Sequence, residues 1–184
     1  MVKHETIIQT WIDTIREIVR DRYLITREEA MFNGDGPRPD CPYITVKIIS
    51  GPEKITSFDP LVFNGKSGGG RNFNLVGQRT YTISIKAIDG CPTDILNEIA
   101  TRMDDPDIYG KLKCDADISV YQISRVIDIT ALINTGYERR SSIDFLFYSS
   151  NNIETGVGLI EKANVKGELS SNNNNREVEI QINK

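Results

Sequence analysis

The sequence predicts an α+β fold, a single domain in which a mixed, mainly antiparallel β-sheet carries two principal α-helices packed on it. Three observations lead there. Apolar residues recur at helical spacing in two stretches, near residue 10 and near residue 97. Most of the remaining chain alternates apolar and polar residues with the period of a half-buried strand. Clusters of Gly, Pro, Asn and Asp separate these stretches, as turns require. A chain of 184 residues is long enough for one domain with its own core, so residues 1–184 are expected to form one unit, with flexible loops at about 26–41 and 64–77.

Taken in order, His4 to about Asp21 reads as a helix. Ile7, Ile8, Trp11, Ile12, Ile15, Ile18 and Val19 make its apolar stripe, and Glu5, Gln9, Asp13, Arg16 and Glu17 fill the opposite face. The single Trp lies on the stripe and is expected in the core. Residues 22–42 form a connector marked by Asn33-Gly34-Asp35-Gly36-Pro37 and Pro39-Asp40-Cys41-Pro42. A strand follows from Tyr43 to about Ser50, with Gly51-Pro52 expected to end it, and residues 55–64 leave room for a short strand. Residues 78–89 alternate most cleanly. Tyr81, Ile83, Ile85 and Ala87 face one way, Thr80, Thr82, Ser84 and Lys86 the other, and β-branched residues dominate. This strand and the one at 43–50 are expected to pair antiparallel around a long loop.

Thr93 is the expected N-cap of a second helix, with Asp94 suited to its first turn. Ile95, Leu96, Ile99 and Met103 form its stripe, and Asp104-Asp105-Pro106-Asp107 is expected to stop it. Strands are expected at 118–123 and 126–133. A long strand enters at Tyr137 and alternates through Ile143, Phe145 and Phe147. A polar turn at 151–156 follows, because Asn151, Asn152 and Gly156 tolerate positive φ. A partner strand over about 157–169, an asparagine-rich turn at 170–175 and a last strand at 176–182 complete the chain.

Composition excludes several functions. With 26 acidic and 22 basic residues the net charge is −4, which argues against a gripping nucleic-acid surface of the usual basic kind. The beginning of the chain, Met-Val-Lys-His-Glu-Thr, lacks an apolar signal core, and no apolar run approaches the ~20 residues of a membrane span. Cys41, Cys91 and Cys114 form no Cys-x-x-Cys pair and are expected as reduced, buried thiols. The one histidine, His4, leaves a His-dependent triad or multi-His zinc site without parts. No Gly-x-Ser-x-Gly elbow is present. The aspartates at 104, 105, 107, 115 and 117 fit no EF-hand spacing and read as a solvated acidic turn. A glycosidase needs only two carboxylates, which 26 acidic residues leave open, but nothing singles out a pair; the expectation is a protein that is not an enzyme and holds no metal or cofactor.

Two stretches carry candidate contacts. Gly65-Lys66-Ser67-Gly68-Gly69-Gly70-Arg71 superficially resembles a phosphate-binding loop, but that motif needs glycine where Pro60 stands and a helix after Ser67. A hairpin loop that orders on contact with a partner, through Lys66 and Arg71, is the preferred reading. A small ligand or nucleotide held by residues 65–71 is the alternative, tested by changing Lys66 and Ser67 to alanine. In Tyr137-Glu138-Arg139-Arg140, alternation sends the two arginines to opposite faces. One arginine is free to pair with Glu138 or Asp144 within the chain. An intersubunit salt bridge is the other possibility, since Arg is favoured at interfaces.

The order of elements, the run Tyr137-Glu138-Arg139-Arg140 followed by Ile143, Phe145, Phe147 and Tyr148, and the strand Arg79 to Ile85 together resemble the tail-terminator, or neck-terminator, proteins of tailed bacteriophages. So does the segment from Gly158 to Leu169. The resemblance implies a structural virion protein, assembled in the host cytoplasm and located in the tail or neck. It implies a ring, commonly a hexamer, on the head-proximal end of the tail tube. There it would end tube growth and meet the head connector or completion protein; Arg139, Arg140 and Glu138 are, on their own chemistry, the residues expected at subunit contacts. DNA would pass through the lumen without specific binding. A head–tail joining or tail-completion subunit is the alternative within virion proteins.

Overall fold

Trp11 has no solvent exposure, and its ring centroid lies 5.2 Å from that of Phe145 and 5.7 Å from that of Phe147. Tyr81 stacks on Phe147 at 5.4 Å with planes 9° apart. These four rings join the first helix to the middle of the sheet, so the apolar stripe read from the sequence is the face that meets the core. The computed structural model describes residues 4–28, 39, 42–67, 70–133, 136–157, 162–171 and 174–183. Within them the chain gathers into two compact units, one of residues 1–60 and 76–153, the other of residues 61–75 and 154–184.

In the first unit, helix α1 (His4–Val19) leads through a short 3-10 turn to β1 (Leu24–Arg27). The sheet runs β1, β2 (Tyr43–Lys54), β4 (Gly70–Ile88), β9 (Arg140–Val157), β5 (Ile118–Ile123). The strand β3 (Leu61–Ser67) pairs with the early part of β4, in the second unit. As expected, β2 and β4 are antiparallel. Their register sets Ile44 opposite Ala87, Val46 opposite Ile85 and Ile48 opposite Ile83, so the apolar alternation of both strands falls on one buried face. β1 is parallel to β2, which makes the sheet mixed. It lies in the stretch expected to be connector. With four residues and one buried side chain, Ile25, it offers too little alternation to read.

Gly51-Pro52 does not end β2. The strand continues to Lys54 through two register shifts against β4, and a bulge is where a sheet tolerates proline. Gly51 has φ +111°, and a Cβ there would lie 2.7 Å from the Thr80 carbonyl oxygen, so a side chain is excluded on both counts.

Beyond β4, α2 (Pro92–Arg102) buries Ile95, Leu96 and Ile99. Its cap position is Cys91, not Thr93, and no side chain caps it. Thr93 lies inside the first turn, where its hydroxyl bonds the Ser141 hydroxyl at 2.9 Å. The acidic turn expected to stop the helix also starts another, α3 (Pro106–Ala116). The Asp105 side chain accepts from the Asp107 N–H at 3.1 Å, and Pro106 occupies the first helical position, where its missing N–H costs nothing. The same Asp-Asp-Pro-Asp run serves both ends. The strand expected over 126–133 is two: β6 (Ile127–Asp128) and β7 (Ala131–Ile133). The Asp128 carboxylate accepts from the Thr130 N–H at 2.8 Å, a local turn that competes with the ladder. β8 (Gly136–Glu138) pairs antiparallel with β7.

The turn expected at 151–156 is strand, because β9 runs on to Val157. Neither do residues 64–77 form a loop. Residues 64–67 continue β3 and residues 70–77 belong to β4, with Lys66 opposite Arg71 and Ser67 opposite Gly70. Gly68 and Gly69 lie outside the described residues, as does most of the expected loop at 26–41. The second unit also contains the antiparallel pair β10 (Lys162–Ser171) and β11 (Asn174–Asn183). Cys91 and Cys114 are free and exposed rather than buried, one at the start of α2 and the other in α3; Cys41 lies outside the described residues.

One ion pair ties the segment after β2 to β4 within the first unit. Asp59 accepts from both terminal nitrogens of Arg79, at 2.9 and 2.6 Å, with Lys54 3.8 Å away. Next to it the Val76 N–H donates to the Pro60 carbonyl at 3.0 Å. The Arg79 hydrogen bonds, against some opposing burial, hold the Asp59 carboxyl below its ordinary value of 3.8. A depressed carboxylate stabilises the fold above its unfolded value and loses that contribution as pH falls through the folded one. Wild-type protein is therefore expected to lose thermal stability on acidification below the ordinary value more steeply than Asp59→Asn. Parallel melting curves for the two proteins across that range would contradict this.

Candidate functional site

The segment from Glu138 to Arg140 joins β8 to β9, and three hydrogen bonds hold its backbone. The Asp89 N–H donates to the Arg139 carbonyl at 2.9 Å, the Ile129 N–H donates to the Arg140 carbonyl at 2.9 Å, and the Arg140 N–H reaches the Thr130 hydroxyl at 3.4 Å. Two successive residues in extended backbone point opposite ways, and the arginines obey that rule. Arg140 turns inward and is about one third exposed, and its guanidinium binds the Glu138 carboxylate through Nε and Nη2. Glu138 itself is 6% exposed. Arg140 thus makes the within-chain pair that the sequence left open. Arg139 points outward, is exposed, and makes no ion pair among the described residues.

Arg139 lines a cleft of about 420 Å³ with Tyr137, Gly90, Cys91, Thr93 and Ser141. The floor is rigid. The Cys91 N–H donates to the Tyr23 hydroxyl at 3.0 Å, and that hydroxyl reaches the Asp89 carbonyl at 3.4 Å. Burial pushes the Tyr23 hydroxyl above its ordinary pKa. Gly90, at φ +66°, lies so close that a Cβ would stand 2.7 Å from the Tyr23 oxygen. The Asp128 carboxyl at the rim is held below its ordinary pKa by its bonds from Thr130. A cation, an aromatic ring and hydroxyls on this floor suit a protein contact, and the described lining contains no histidine.

Lys66 and Arg71, the other candidates, are register partners in the β3–β4 hairpin of the second unit. The Gly-Lys-Ser run lies in β3, so the helix that a phosphate-binding loop requires after Ser67 is replaced by strand. Further down the hairpin Phe63 and Phe73 meet edge to face at 5.7 Å, and Leu61 and Phe63 are exposed. The described residues contain no group of three His, Cys, Asp or Glu side chains able to hold a metal ion. No described helix is long and apolar enough to cross a membrane.

Sequence reasoning did not single out Leu132 and Tyr137 as surface groups, yet they are 62% and 81% exposed and directly paired across β7 and β8. Alternation assigns two residues to one face without saying which face is buried, and in a three-residue strand nothing else decides it. The buried Glu138 next in sequence is what shows the hairpin's orientation.

A family model described as Phage neck terminator protein matches residues 4–173. No curated protein matches the chain.

Proposed function

The chain belongs to the phage neck terminator family, a family of structural virion proteins of the tail and neck, and on that premise we propose that it forms a ring on the head-proximal end of the tail tube. The ring ends tube polymerisation and presents the surface to which the head connector binds. The observation that carries this reading is the extent of the family match, which takes in both helices read from the sequence and all strands of the sheet.

In this reading one surface of each subunit meets a different surface of the next, and a heterologous contact of that kind closes into a ring when its rotation allows. Six subunits is the expected number. Arg139, exposed beside Tyr137, is the cation offered to a neighbour. Arg140 and Glu138 hold the backbone that presents it. Lys66 and Arg71 carry the hairpin that reaches the tube or the connector. A net charge of −4 per subunit suits a lumen through which DNA slides without being held. Assembly takes place in the host cytoplasm before the ring becomes part of the virion.

Negative-stain electron microscopy of the purified chain, alone and mixed with tail tubes, tests the proposal. Rings of the free protein, or caps on one end of the tubes, are expected. Protein that never decorates a tube but binds isolated connectors would instead establish a head–tail joining subunit. Changing Lys66 and Arg71 together to alanine is expected to leave the folded state unchanged and to weaken tube or connector binding by about tenfold or more, read by co-sedimentation. Unaltered binding would remove the hairpin from the contact.

A further inference from the structure

The β7–β8 hairpin is built inside out for a hairpin that faces water. Its register pairs Ala131 with Glu138 and Leu132 with Tyr137. Alternation places the two pairs on opposite faces. The face turned to the body holds the buried carboxylate of Glu138 and half-buried Ala131, whereas the outer face holds Leu132 and Tyr137, 62% and 81% exposed. Exposed Ile127 and Ile129 precede this hairpin, and the outward Arg139 follows it. An acid inside and an aliphatic–aromatic pair outside reverses the usual preference. Together with Arg139 it gives the composition of an interface anchor, where Tyr and Arg are enriched.

The chain carries a surface of matching chemistry. A groove of about 500 Å³ lies between the start of α3 and β5, lined by Met103, Asp104, Pro106, Tyr109, Tyr121 and Ile123. Tyr109 and Tyr121 are each nearly half exposed. Tyr121 is already held in place by stacking on Tyr148 at 4.2 Å, so little ordering is needed when a partner covers it. Asp104 is exposed at the groove and makes no ion pair among the described residues. One surface therefore combines exposed apolar and aromatic side chains with a cation, and the other combines aromatic and aliphatic side chains with a carboxylate, neither charge being ion-paired among the described residues. Both belong to the first unit.

We propose that the outer face of the β7–β8 hairpin is a self-association surface, occupied by the α3–β5 groove of a second copy of this chain, with Arg139 of one copy paired to Asp104 of the next. The two surfaces are different parts of the chain, so the contact is heterologous. This gives the ring proposed above its subunit contact and rests on that reading.

Sedimentation velocity of the full-length chain tests it. Wild type is expected to associate. The Leu132→Ser/Tyr137→Ser double variant is expected to sediment as monomer while keeping the wild-type circular dichroism spectrum and unfolding midpoint. Arg139→Asp and Asp104→Arg are each expected to weaken association by about 30-fold or more, and combining them restores it to within about tenfold of wild type. Three results overturn the proposal: wild type that stays monomeric at every concentration, single variants that associate as wild type does, or a charge-swapped double variant that does not recover. Variants that associate normally but no longer bind tail tubes would assign the hairpin to the tube protein, and also overturn it. Normal association with normal capping of tubes would remove this contact and leave the terminator role standing, so the two readings fail separately.

Discussion

Replacing Trp11 with alanine lowers the stability of the fold by about 3–5 kcal/mol, the range for emptying the site of a fully buried large aromatic. For a domain of this size that corresponds to a fall of roughly 10 °C in the unfolding midpoint. The magnitude follows from position. Trp11 is fully buried on α1 and touches Phe145 and Phe147, and Phe147 in turn stacks on Tyr81, so one cavity would open beneath the helix against two neighbouring strands. The indole N–H has no hydrogen-bond partner among the described residues, so Trp11→Phe breaks no hydrogen bond and retains most of the stability. Chemical denaturation of the three proteins checks both statements. A loss below about 1 kcal/mol for the alanine variant would show that the helix does not rest on this ring. Because Trp11 is the only tryptophan, its fluorescence follows the opening of this helix–sheet contact directly.

Arg140→Ala and Arg139→Ala are expected to separate stability from assembly, although the residues are adjacent. Removing Arg140 takes the guanidinium from a carboxylate that is 6% exposed. Breaking a buried pair from one side is strongly destabilising, but Arg140 is itself about one third exposed, which moderates the loss to about 2–3 kcal/mol. The double variant Glu138→Gln/Arg140→Ala recovers part of it, because the charge left behind has been removed. Arg139→Ala changes stability by no more than about 0.5 kcal/mol, as for most exposed positions, and weakens association. Urea unfolding and sedimentation on the same samples read the two effects apart. Equal destabilisation by both single changes would mean that Arg139 is part of the fold rather than offered to a partner.

Much of the fold was legible because hydrophobic periodicity is a local property. The stripe from Ile7 to Val19, the alternation from Tyr81 to Ala87 and the run Ile143, Phe145, Phe147 each specify an element and its buried face without reference to the rest of the chain. The misreadings arose where one signal serves two outcomes. Asp104-Asp105-Pro106-Asp107 ends one helix and caps the next. Gly51-Pro52 marks a bulge as readily as a strand end, and Asn151, Asn152 and Gly156 lie within a strand that pairing sustains. The four-residue β1 depends on β2 for its existence and carries almost no pattern of its own.

The candidate contact surface divides in the same way. The sequence by itself determined that this chain has a core of two amphipathic helices on alternating strands, that it carries a single histidine and no Gly-x-Ser-x-Gly elbow, and that Arg139 and Arg140 point to opposite sides. Which arginine turns inward was decided only by tertiary structure, because the direction depends on where the body lies relative to β8. The burial of Glu138 draws Arg140 to it, and that leaves Arg139, Tyr137 and Leu132 facing outward. Periodicity divides a strand into two faces, and only packing against the rest of the chain shows which of them is left for a partner.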